Sequence, residues 1–205
     1  MKRRLNGRFA AVRTEGGLLP PDLIQRVAAG DASLPGLDSA SYHLAQGERL
    51  NEKIARSWVR IRGAWEGFCE ALEQLPQGDP AVGLTRERWI GVIFQELHYG
   101  RLPRASGLEV DEKAYPISHM WGNVPIHLMG YGVDLDKRTP GVAGAASMSP
   151  HGLVQEYINR SDEHLWGIVS NGRKLRLLRD NVSLTRQSYI EFDLEAIMRG
   201  ELYSD

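Results

Sequence analysis

Asp134-Leu135-Asp136-Lys137 sets two carboxylates and an ammonium side by side in the chain. Carboxylate oxygens are the hard ligands that magnesium takes. A metal held beside a lysine can position a water and stabilise charge on a phosphate. Asp136 and Lys137 are adjacent, so on a strand their side chains leave opposite faces. Asp111-Glu112-Lys113 has the same make-up in a stretch that reads as a turn. His119, His127, His151 and His164 fall on separate expected elements. His119 and His127 could meet across neighbouring strands as a metal pair. No cysteine or carboxylate spacing completes a ligand set, so packed or surface imidazoles are the plainer reading and no metal ligand is assigned. Arg173, Lys174, Arg176, Arg179 and Arg186 are candidates for contacts to DNA phosphates. On a strand, Lys174, Arg176 and Leu178 share one face while Leu175 and Leu177 share the other. The competing reading is a solvated outer face partnered by Asp180 and Glu191.

The elements that must carry these residues are legible from periodicity. Residues 1–47, rich in Gly, Pro and Ser, read as an irregular N-terminal arm with one short helix from Asp22 to Ala29. Glu48 to Leu75 is a helix: Leu50, Ile54, Trp58, Ile61, Trp65, Phe68, Leu72 and Leu75 form one apolar stripe. Thr85 to Tyr99 is a second helix that Thr85 can cap. Strands are expected at Gly107–Glu112, Ala114–Trp121 and Val124–Val133, the last apolar enough to be central. A helix capped by Ser149-Pro150 follows, then a hairpin of Leu165–Val169 and Lys174–Arg179, a strand Ser188–Asp193 and a short helix from Leu194. This order predicts an α+β (α/β layered) fold, with a mixed sheet of about five to six strands flanked by helices.

Composition narrows the class. The chain has 205 residues, 42% apolar and 25% charged, with a net charge of −1. That balance offers no global electrostatic case for nucleic acid, although a basic face can hide in a neutral total. The one cysteine, Cys69, rules out an internal disulfide and a cysteine-based zinc site. It sits on the apolar stripe as a small hydrophobe. No apolar run reaches the roughly 20 residues of a membrane span. The basic start lacks a signal-peptide core, so a cytoplasmic location is expected. The last residues begin a helix and stop, which reads as a cut in a longer chain.

Helix, meander, crossover helix, strand is also the order of the PD-(D/E)xK nuclease core. The stretch from Ser149 to Asp205, with Trp166-Gly-Ile-Val-x-Asn-Gly-x-x-Leu-Arg-Leu-Leu-Arg-Asp180 and Glu191-Phe-Asp-Leu-Glu195, resembles the N-terminal region of large bacterial restriction-modification proteins. Those proteins carry an adenine-specific DNA methyltransferase domain after this segment. They include single-chain type II enzymes and methyltransferases of phage-defence systems such as DISARM. The resemblance runs from about Trp58 to Asp205. It implies a restriction-endonuclease-like domain over 48–205 in a chain whose S-adenosylmethionine-dependent part lies elsewhere. No Asn-Pro-Pro-Tyr-type tetrapeptide and no Gly-rich cofactor loop occur here.

Carried over by position, Glu96 matches the first-helix acid of such nucleases, Gln155 the crossover-helix Gln, and Asn171-Gly172 the hairpin turn. The acid-x-lysine place falls on Gly130-Tyr131-Gly132, and Ser118-His119 stands where an Asp belongs. The implied magnesium site is therefore degenerate. An active nuclease would need Glu96, Asp134, Asp136, Lys137 and Gln155 in a displaced register, with Mg2+ as its only cofactor. The leading expectation is a DNA-interaction and scaffold module without cutting activity of its own. Double-stranded DNA and a C-terminal methyltransferase domain or defence-system subunits would be its partners. The alternatives are a magnesium-dependent endonuclease domain and a protein-docking module using Trp121 and Trp166.

Overall fold

The computed structural model describes residues 9–20, 22–180, 188–200 and 202. In chain order it contains β1 (Val12–Glu15), α1 (Leu23–Ala28), a 3-10 turn (Ala40–Tyr42) and the long helix α2 (Leu50–Glu73). Next come α3 (Val82–Leu84), a π-helical turn (Thr85–Ile90) and α4 (Gly91–Glu96), which run on as one helix. β2 (Glu109–Val110), β3 (Lys113–Ala114), β4 (His119–Trp121) and β5 (Val124–Leu128) follow, then α5 (Pro150–Arg160), β6 (Trp166–Ser170), β7 (Lys174–Arg179), β8 (Tyr189–Asp193) and α6 (Leu194–Gly200).

The main sheet is mixed and six-stranded, ordered β1-β8-β7-β6-β5-β4. Only β5 and β6 run parallel, joined through the crossover helix α5. The fold is α+β with helices on both faces, as the pattern predicts. Two strands differ from the expected meander. Glu109–Val110 pairs with Lys113–Ala114 in a separate ribbon, because Asp111 and Glu112 both take positive φ and close a two-residue turn. The sixth strand of the sheet comes instead from the arm, where Val12–Glu15 pairs antiparallel with β8.

One face of the sheet packs on α2 and on the helix running from α3 to α4. Trp65, Phe68, Trp89, Ile90 and Phe94 meet Ile126, Leu128, Ile168 and Leu175 there. The other face packs on α5, where Leu153, Val154, Tyr157 and Ile158 meet Val169, Leu178 and Tyr189. Ser149 caps α5 by accepting from the Gly152 amide, with Pro150 at the first helical position. Thr85 is no cap: the helix starts three residues earlier, and the buried Thr85 hydroxyl accepts from the Tyr131 amide at 3.0 Å.

The expected strand to Val133 ends at Leu128. Gly130 lies so close to the Pro80 carbonyl that a Cβ would fall 1.7 Å from its oxygen. The Val133 amide then turns back onto the Gly130 carbonyl. The loop that follows is tied to the sheet by Asn171, whose side-chain amide donates to the Val133 carbonyl at 2.7 Å.

Candidate nucleic-acid interface

The carboxyl ends of the parallel strands β5 and β6 are where ligands commonly sit in sheets with crossover helices. A cleft of about 420 Å³ lies there, lined in part by Asp134, Asp136, Arg173, Lys174 and Arg176. Asp134 and Asp136 are thus brought together with three of the expected DNA-binding residues. Glu96 and Gln155 are not. Glu96 ends α4 and pairs with Arg60 of α2 at 3.2 Å. Gln155 donates to Asn159 of its own helix and to the Arg179 carbonyl. Lys137 is 80% exposed and reaches Asp134 only at 3.9 Å.

The cations of this cleft already have carboxylate partners. Arg176 is 3% exposed and donates to Glu191 at 2.6 Å and to both Asp136 oxygens at 2.6 and 2.8 Å. Burial opposes its charge, but Asp136 and Glu191 outweigh that and hold the guanidinium protonated. Lys174 reaches Glu191 at 3.2 Å, and Arg173 reaches Glu195 at 2.9 Å. Arg179 is exposed and lies over the Trp166 ring. Arg186 falls outside the described residues. As a DNA contact Arg176 is corrected: its face of β7 is covered by α5, and Leu178, two residues on, is fully buried. A solvated arginine face is excluded at that position.

The magnesium implied by the nuclease resemblance does not fit these groups. Both Asp136 oxygens are engaged by one guanidinium, whose hydrogen bonds hold that carboxyl below its usual range. Asp134 accepts the Asp136 amide on one oxygen and faces Lys137 with the other. Among the described residues no group of three His, Cys, Asp or Glu side chains stands close enough to hold a metal.

A second cleft, of about 1070 Å³, runs along the outer edge of β4. The segment 99–105 lies antiparallel against this edge: the Met120 amide donates to the Pro103 carbonyl, the Ala105 amide to the Ser118 carbonyl, and Arg104 bridges His119. Arg86, Arg101 and Arg104 line the cleft, with His119, His127 and Ser118 along its inner wall. Arg101 and Arg104 are exposed, and Arg86 is half-buried. Arg86 is fixed by two hydrogen bonds to the Leu128 carbonyl, at 2.8 Å from Nε and 2.5 Å from Nη2. Among the described residues Glu87 is the one carboxylate lining the cleft, and no ion pair joins it to the three arginines. Burial and the neighbouring Arg104 push the Arg86 pKa down. Burial, Arg86 and Arg104 push His119 down to about 4. His127, pushed to about 4 chiefly by burial, donates from Nε2 to the Gly144 carbonyl at 2.9 Å.

No protein-family model matches the chain, and neither a curated protein nor a solved structure does. The site therefore rests on its own chemistry. Three guanidiniums lining one cleft, without acidic partners among the described residues, make a positive field that favours anions. Sequence reasoning passed over them because Arg86 sits in a helix while Arg101 and Arg104 sit in a loop of no period. Arg101-Leu-Pro-Arg104, two arginines with no acid between them, was the local signal.

Among the described residues no helix is long and apolar enough to cross a membrane.

Proposed function

We propose that this chain is a DNA-interaction and scaffold module of a restriction-modification-type DNA methyltransferase, one that holds duplex DNA by its phosphates and does not cut it. The observation that carries the reading is the cleft along β4, lined by Arg86, Arg101 and Arg104, none of which is paired to a carboxylate among the described residues. Affinity for nucleic acid comes mainly from such contacts to phosphate, which displace condensed counterions. The expected site on β7 supports the reading less well, since Arg173, Lys174 and Arg176 are each paired with a carboxylate of the fold. The nuclease alternative is disfavoured by Asp136, which is bound to Arg176 through both oxygens.

A gel-shift titration of the chain on short duplex DNA at two salt concentrations tests this. Binding should weaken steeply with salt, and Arg101→Gln with Arg104→Gln should lower the logarithmic salt slope by about 0.9 per lost phosphate contact. Binding that ignores salt, or that survives both substitutions unchanged, would sink the proposal. Metal-dependent nicking of plasmid would restore the nuclease reading.

The docking alternative keeps one observation in its favour. Trp121 and Trp166 are 42% and 36% exposed, and large aromatics at a surface are frequent anchors of protein contacts.

A further inference from the structure

At one end of the main sheet a row of side chains crosses four strands on a single face. Trp121 of β4 is the register partner of Val124 of β5. Ile126 stands beside Ile168, so two residues back along these parallel strands Val124 stands beside Trp166 of β6. Trp166 is in turn the register partner of Arg179 of β7. Register partners leave a sheet on the same side. Val124 packs against the core that Trp65 and Phe68 of α2 enter, so the row lies on the α2 face. The helices leave its outer part open, since both indoles and Arg179 are exposed.

Both indoles are held in place. Trp121 donates its Nε1–H to the Tyr99 carbonyl at 3.1 Å and has the Tyr99 ring beside it, with centroids 4.8 Å apart. The Arg179 guanidinium lies over the Trp166 ring, 5.4 Å from its centroid. β7 and β5 flank β6 on opposite sides, so the other face of that ring is turned toward β5 and Trp121. β4 and β6 are two strand spacings apart, about 10 Å. Bases stack at about 3.4 Å, so the space above Val124 has room for one or two flat heterocycles. The border of the row is cationic. Arg179 has no carboxylate partner among the described residues. Along β4, the Met120 bond to Pro103 and the Arg104 bridge to His119 bring Leu102 opposite Trp121. Arg101 adjoins Leu102, and Arg104 follows two residues on, about 7 Å along an extended chain.

We infer that Trp121, Val124, Trp166 and Arg179 form a stacking platform for unpaired nucleobases, with Arg101 and Arg104 taking phosphates of the same strand. The inference rests on the reading that this chain binds nucleic acid through the β4 cleft, and adds the form that it grips. Duplex bases are stacked on one another and offer a protein only their edges. A single strand, or bases splayed from a fork, offers π faces, and aromatic side chains beside a basic groove bind these with little regard to sequence. A tryptophan that anchors a protein partner fills a desolvated pocket. Here the Trp121 N–H is already used within the fold, and what faces outward is flat ring.

The test measures binding of the whole chain to a labelled single-stranded oligonucleotide, to an abasic strand of equal length, and to a duplex. The abasic strand keeps its phosphates and lacks its bases, so the normal strand should bind at least about tenfold tighter. Trp121→Leu and Trp166→Leu should each weaken single-strand binding about tenfold, the effect of losing one stacked base. Both should leave abasic-strand and duplex binding unchanged. Trp166→Phe, which keeps a π face, should retain most of the affinity.

Equal binding of the normal and abasic strands by the unsubstituted chain overturns the platform without recourse to any variant. Duplex binding that depends on Arg101 and Arg104 then leaves the general DNA reading standing and returns the tryptophans to protein docking. Tryptophan-dependent binding of the single strand with no binding of the duplex supports the platform and counts against the duplex reading. Binding to none of the three overturns both.

Discussion

Asp136 grips Arg176 with both carboxylate oxygens, at 2.6 and 2.8 Å, and ties the loop after β5 to the middle of β7. On its other side Arg176 meets Glu191, its register partner on β8. Arg176 and Glu191 are 3% and 1% exposed, so their pair is internal structure, while the half-exposed Asp136 closes it at the cleft surface.

Removing Arg176 leaves the buried Glu191 with only the half-exposed Lys174 at 3.2 Å close by, and breaking a buried pair in this way costs up to about 3–5 kcal/mol. Arg176→Ala should therefore lower the stability of the chain by about that amount in urea denaturation. Arg173→Gln, at a pair half open to solvent, should cost less than about 1 kcal/mol. Equal small losses for both would mean that Arg176 is not internal.

Gly172 turns the β6–β7 hairpin with φ at 81°, a conformation that an L side chain adopts with strain. A Cβ there would meet Thr85 Cγ2 at 2.7 Å and Trp89 Cδ1 at 3.1 Å, both in the buried π-helical turn. Gly172→Ala should cost about 1–3 kcal/mol through strain and overpacking. Trp89→Phe removes the 2.7 Å bond from the indole to the Gly172 carbonyl and should also destabilise, by about 1 kcal/mol or more. Thermal melts of the two variants give the comparison.

Acid should begin to destabilise the chain before its carboxylates titrate. His127 and His151 are each lowered to about 4, mainly by burial, from an ordinary value of 6.5. As pH falls through 6.5 the unfolded chain takes up these protons and the folded chain does not. Stability that is complete above 6.5 is thus lost progressively down to about 4. The slope approaches about 1.4 kcal/mol per pH unit for each histidine while both titrate this way. Glu191 and Asp136, whose pKa values are lowered, add a further loss as pH falls below their ordinary range. A urea midpoint that stays level from pH 7 to pH 4.5 would contradict the burial of these rings.

The two arginine groups give opposite expectations for DNA binding. Charge removal at Arg101 and Arg104 should weaken duplex binding and flatten its salt dependence. Arg173→Gln with Arg179→Gln should leave both nearly unchanged, since Arg173 is paired with Glu195 and Arg179 lies over Trp166. The reverse order would return the interface to β7.

Periodicity was sufficient for α2, α5, β6, β7 and β8, but not for β1, which the arm supplies, or for the separate β2–β3 ribbon. The alternation along β7 was legible too, and Leu178 among the basic residues was the clue that this face is not wet. Which face is covered depends on where α5 lands, and no local pattern contains that. The β4 cleft was illegible for the same reason. Arg86, Arg104 and His119 come from a helix, a loop and a strand, and only the close run of segment 99–105 along β4 unites them. The end of β5 at Leu128 was missed because the contact of Gly130 with Pro80 is a meeting of backbones, which side-chain patterns do not record.

The approach of Gly130 to the Pro80 carbonyl also sets a limit for anyone who would engineer this scaffold into a cutting enzyme. The nuclease-like alignment asks for an acid at 130 and a lysine at 132. Position 132 has open space around the site of a new Cβ, so the lysine can be installed there. At position 130 any side chain would drive into the Pro80 carbonyl and the Val82 amide. Half of the pair is one substitution away, and the other half requires rebuilding the start of the helix at Val82.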